Sequence, residues 1–183
     1  MCIMDFLNNS SIAAFFGALS AFFLVVLNDW RRDRKRLKII RNEIKVVYDH
    51  AKNKAETVKR NRSAIQDHNK IIIAPILKFN PSVIRQLSIQ ILDKFTQDQR
   101  QAIDAICYTM ESIDGLLDSA LKRAERISEM DGIERNQLCD QLIIDYNDAI
   151  VNLNRLKEMS NNFSSGKYKV IVTKQYVRSE YEE

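Results

Sequence analysis

The apolar positions of this chain come first as a solid block and then as a period. From Phe6 to Asn28, 23 residues pass without a charged side chain, and Ile, Leu, Val or Phe fill ten positions between Ile12 and Leu27. As a helix at ~1.5 Å per residue the block reaches roughly 34 Å, enough for a hydrocarbon core of about 30 Å. It is apolar on every side, so it predicts a transmembrane helix rather than one face of a soluble bundle. Its large apolar residues contribute roughly −3 to −6 kcal/mol to insertion. After Asn28 the pattern becomes periodic. Leu37, Ile40, Ile44, Val47, Ala51, Val58 and Ile65 follow spacings of three and four, with Lys54 interrupting. No Pro or Gly lies between Gly17 and Pro75. The span is therefore expected to continue into a basic stalk helix over residues 31–70, with Asn28 to Asn69 extending ~60 Å.

Punctuation organises the remainder. Ile71 to Leu77 reads as a break with an apolar linker. Asn80-Pro81 supplies an N-cap with Pro at the first helical position, which predicts a helix from Pro81 to Phe95. Thr96 with Gln99 forms a capping box for the next helix, which reaches about Met130. Its face runs through Ile103, Ile106, Met110, Ile113, Leu117, Leu121, Ala124 and Ile127. Gly115 inside it costs about 1 kcal/mol relative to Ala, so close packing is expected there. Asp131-Gly132 is the next turn. Leu138, Leu142, Tyr146, Ala149, Leu153 and Leu156 mark a last helix to about Met159. Ser160 to Gly166 reads as a polar loop, and Tyr168 to Tyr176 as a strand or an ordered tail. The expected architecture is all-α: an outer segment and transmembrane helix over 1–30, the stalk over 31–70, a cytoplasmic antiparallel bundle over 71–160 and a tail over 161–183.

Charge orients the span. The net +4 conceals a balance of +9 from Arg31 to Arg62, so the rest of the chain sums to −5. Arg31, Arg32, Arg34, Lys35, Arg36 and Lys38 follow the span directly, and Lys and Arg stay in the cytoplasm. The N-terminus is then short and outside, and the basic cluster meets the anionic inner leaflet. RNA is a second polyanionic partner, although no aromatic residues are interleaved as stacking platforms. A cleaved signal peptide fits less well, since only Asp5 precedes the run as a charge and no small-residue cleavage site follows. Within the span Ala13, Gly17 and Ala21 recur every four residues, and Ser10, Ala14 and Ala18 run parallel. Small residues let helix backbones approach in lipid, so association with another copy or another protein is expected.

Enzymatic signatures are few. The chain has no P-loop, dinucleotide-binding glycine pattern, GxSxG or metal-spaced His/Cys group, and neither cofactor nor metal is expected. Cys2, Cys107 and Cys139 show no CxxC spacing and read as free thiols. His50 and His68 are the only histidines. Arg62 and His68, separated by five residues, match the R-x(4–6)-H pattern of the all-helical HEPN ribonucleases and their relatives. A histidine titrates near neutrality and an arginine holds phosphate through paired donors. On an unbroken helix the two positions lie about 120° apart and do not converge.

This layout (outer N-terminus, span over Phe6 to Asn28, basic exit over Arg31 to Lys38, helical region with one Arg62/His68 pair) resembles the small HEPN-like membrane accessory proteins of type VI-B CRISPR–Cas systems. The resemblance implies a homo-oligomeric inner-membrane channel. Such a channel permeabilises the membrane once an RNA-guided effector recognises phage RNA, and enhances antiviral defence. It also implies that Arg62 and His68 are the HEPN-like pair; a single pair leaves ribonuclease activity as the alternative, with a membrane anchor or scaffold as a third.

Overall fold

The computed structural model describes residues 10–68, 71, 76–130 and 132–171. Every element among them is helical. Helix α1 covers Ser10–His68, α2 Pro81–Gln90, α3 Gln97–Ser128 and α4 Gly132–Ser164, with a 3-10 turn at Leu92–Lys94. The chain divides into two units, Met1–Ile39 and Ile40–Glu183, and the division falls inside α1.

The first unit is helical from Ser10 onward. Phe15, Phe16, Phe22, Phe23, Leu24 and Val25 are all exposed. Among the described residues one helix is long and apolar enough to cross a membrane, it lies near the N-terminus, and none of its apolar stretch is buried.

The second unit has a continuous core. Residues 40–68, expected as the greater part of a stalk, belong to it: Ile40, Ile44, Val47, Ala51, Val58 and Ile65 are buried, as is Ala55. Helices α3 and α4 run antiparallel, with Thr109 Oγ1 3.8 Å from Met159 Sδ and Arg123 Nε 2.8 Å from Asp145 Oδ2. Each carries one apolar face inward, Ile103, Ile106 and Ile113 from α3 and Leu142, Leu153 and Leu156 from α4, all almost fully buried. Arg85 of α2 reaches Glu111 of α3 at 2.9 Å.

Both expected helix starts are present. Asn80 accepts from the Ser82 N–H with Pro81 in the first turn, and Thr96 and Gln99 complete the capping box. The helix expected from Pro81 to Phe95 instead stops at Gln90. Ile91 leaves helical geometry at φ −132°, and the Lys94 and Phe95 amides bond back to Ile91 and Leu92. The chain must reverse before Thr96 opens α3, and a tight 3-10 turn achieves this while Ile91 and Phe95 stay buried.

The loop expected over Ser160 to Gly166 is largely helix. Helix α4 continues to Ser164, with Ser160 at 0% exposure and Phe163 buried. Gly166 ends it at φ +75°; its amide bonds to Phe163 and that of Lys167 to Asn162, a Schellman cap that requires the left-handed region at Gly166. The serine hydroxyls are absorbed locally, Ser164 bonding the Ser160 carbonyl and Ser165 that of Asn161. Residues 168–171 are helical rather than extended, and 172–176 lie outside the described residues. Gly115 is exposed, and a Cβ there would meet nothing within 4 Å, so close packing does not account for it.

Candidate functional site

The apolar segment of α1 is built from residues whose side chains find little within the chain. Phe15 and Phe16 meet edge to face at 5.9 Å, Phe22 and Phe23 at 6.3 Å. Ala13, Gly17 and Ala21 are exposed on one stripe, and a Cβ on Gly17 would meet nothing within 4 Å. A bulky side chain at Gly17 therefore encounters no obstacle in a single copy.

Beyond Leu27 the polar groups organise themselves. Asp29 accepts from Arg32 at 2.9 Å, and Asp33 lies 3.9 Å from Arg36. The Arg34 guanidinium stacks 3.8 Å over the Trp30 ring. Trp30 thus presents one ring to a cation and remains exposed, a composition suited to a membrane–water boundary.

Arg62 and His68 both lie on α1, about 120° apart around its axis. Arg62 donates from Nη1 to Asn147 Oδ1 of α4 at 2.9 Å, while its Nε is buried with no partner among the described residues. The side chain of His68 lies outside the described residues. Arg62 is positioned as a strut between α1 and α4. No group of His, Cys, Asp and Glu among the described residues is spaced to hold a metal.

Sequence reasoning missed the polar seam that fixes α1 in the second unit. Lys54, which interrupts the apolar stripe, is only 8% exposed. Its Nζ donates to Asp114 Oδ1 at 3.0 Å and sits 3.6 Å over the Phe79 ring. Asp114 Oδ2 accepts the Phe79 amide at 2.7 Å. One carboxylate thus joins α1, α3 and the segment before α2. Burial pushes the Lys54 pKa down, and the hydrogen bond and charge of Asp114 oppose that. Asn61 and Tyr146 are both buried; burial raises the Tyr146 pKa against the opposing hydrogen bond from Asn61. The signal for this seam, a lysine in an otherwise apolar register, was visible in the sequence, but its partner lies 60 residues away.

Cys107 and Cys139 are buried free thiols, and Cys2 lies outside the described residues. Burial pushes the Cys107 thiol above its ordinary 9.0, opposed by Arg85. The folded state then holds its proton more tightly than the unfolded state. This contribution is fully present below pH 9.0 and is lost as pH rises through the folded value. Cys107→Ala is expected to melt with a shallower pH dependence than wild type above pH 9, measured as the difference in Tm between the two proteins across pH 8 to 10.5. A parallel pair of curves counts against a buried, protonated thiol.

Compared with protein-family models, curated proteins and solved structures, the chain gives no match in any of the three.

Proposed function

We propose that this chain is a single-span inner-membrane protein whose copies associate through the apolar part of α1 into a homo-oligomeric pore, with the helical bundle in the cytoplasm. The observation that carries the reading is an apolar stretch of membrane length with none of it buried, followed directly by the cluster from Arg31 to Lys38. In water such a surface would aggregate; in lipid it is at equilibrium. The basic flank supports a cytoplasmic bundle. One span encloses nothing, so conduction requires several copies, and the stripe of Ala13, Gly17 and Ala21 supports close approach between them. The layout's resemblance to type VI-B accessory proteins supports a role in RNA-guided antiphage defence, where the pore depolarises the membrane when its companion effector is activated. Direct contact with the effector is not required.

Two measurements test this. Cells carrying the protein and an activated type VI-B effector should lose membrane potential, read with a potential-sensitive dye; an unchanged potential ends the pore reading. Gly17→Leu should shift the detergent-solubilised protein toward smaller species in sedimentation while its helix content is unchanged, because the added side chain has no clash within one copy. The same assembly size in the variant would remove the stripe from the interface.

The ribonuclease alternative gains less support. Arg62 already bonds Asn147, and its position diverges from that of His68. It would be established by RNA cleavage that His68→Ala abolishes. An anchor role draws on the buried core of the second unit. It predicts that function survives exchange of the span for an unrelated apolar helix.

A further inference from the structure

The six cations after the span are not equivalent. Arg32 is held by Asp29 and Arg36 by Asp33, and Arg34 lies on Trp30. Arg31, Lys35 and Lys38 are exposed and paired with no carboxylate among the described residues. At about 100° per residue these three fall within an arc of about 60°, whereas Asp29 and Asp33 both lie about 160° from Arg31, on the opposite side. The exit segment therefore has two electrical faces. One carries three free cations, and the other carries two carboxylates already neutralised by arginines.

Distance along the axis adds a second asymmetry. Arg31 stands roughly 6 Å beyond Leu27 and Lys38 roughly 16 Å beyond it. Attraction to a charged surface decays over about 8 Å at physiological ionic strength. On an upright helix Lys38 lies outside that range. Leaning toward the cationic face brings Lys35 and Lys38, with their long flexible stems, to the headgroups. Leaning the other way gains nothing, because the carboxylates there are already satisfied.

We propose that Arg31, Lys35 and Lys38 form a one-sided binding face for the phosphates of anionic lipids, which sets the direction in which the span leans. The proposal rests on the reading of residues 12–27 as a span. The occupant is a lipid rather than a free polyanion because the face is continuous with an apolar surface that ends only four residues before Arg31.

Trp30, the chain's only tryptophan, reports on this directly. The full chain is reconstituted into phosphatidylcholine vesicles with increasing phosphatidylglycerol. Trp30 emission and its quenching by brominated acyl chains are then recorded. Two variants are compared with wild type, Lys35→Gln/Lys38→Gln, which removes two unpaired cations, and Asp29→Asn/Arg32→Gln, which removes a pair already neutral. Wild type should show a blue shift and deeper quenching as phosphatidylglycerol rises. The lysine variant should need at least about fivefold more anionic lipid for half the effect, the factor expected from one surface cation. The Asp29→Asn/Arg32→Gln variant, whose net charge is that of wild type, should stay near wild type. Equal loss in both variants, or no response to phosphatidylglycerol, overturns the one-sided face. So does reversal by inorganic phosphate beyond that given by chloride at matched ionic strength, since the face would then take free phosphate. Failure to float with either vesicle overturns the span itself.

Discussion

Asp114→Ala is expected to destabilise the second unit by about 3–5 kcal/mol, the range for removing one partner of a buried ion pair. Lys54 would stay in its apolar register with its ammonium over the Phe79 ring and no counter-charge. The Phe79 amide would lose its acceptor at the same time. For a chain of this length that corresponds to a fall in Tm of roughly 6–20 °C. Lys54→Met should cost clearly less, because it removes the buried cation instead of stranding it and fills a similar volume. Thermal melts of the detergent-solubilised full chain, followed by helix signal, give both numbers. An Asp114→Ala cost below about 1 kcal/mol would place the pair in solvent and refute the burial seen here.

On the proposed single-span reading, Ala18→Arg/Leu19→Arg is expected to abolish stable membrane insertion. Each arginine near a span centre costs about 2.5–3.5 kcal/mol, so the pair outweighs most or all of the roughly 3–6 kcal/mol supplied by the apolar residues. The variant should leave the carbonate-resistant membrane fraction. Residues 18 and 19 are exposed and belong to the first unit, so the melting of the second unit should be unaffected. Persistent carbonate resistance would mean that something other than residues 12–27 holds the protein to the bilayer.

How much of this was legible depended on the range over which each residue acts. The span, the capping box at Thr96 and the Asn80-Pro81 start are local, fixed within four residues or by composition alone, and each stands where the pattern put it, the span as a helix of sufficient length and apolarity. The inward faces of α3 and α4 followed from their period. The misreadings involve polar residues whose partners are distant or unexpected. Lys54 looked like an interruption because Asp114 is not its neighbour in sequence. Ser160 looked like loop because a serine at 0% exposure leaves no mark in composition. The early stop of α2 at Gln90 reflects a reversal demanded by α3, which nothing in Pro81 to Phe95 announces. Arg62 is separated from His68 by five residues in the sequence, and the structure also ties it to Asn147, 85 residues on. A two-residue pattern carries no information about such a tie.

The ties between α1 and the rest of the second unit have a consequence for biosynthesis. Ile40, Ile44 and Val47 leave the ribosome early, whereas Asp114 and Asn147, which secure their helix, come much later. At ~5–20 residues per second, the hundred or so residues separating Ile65 from Phe163 take roughly 5–20 s to translate. On the proposed single-span reading, a nascent amphipathic segment sits beside the membrane throughout that interval with no mate for its greasy side. Its quiet survival there falls to the ribosome, to holdase chaperones or to the lipid surface itself.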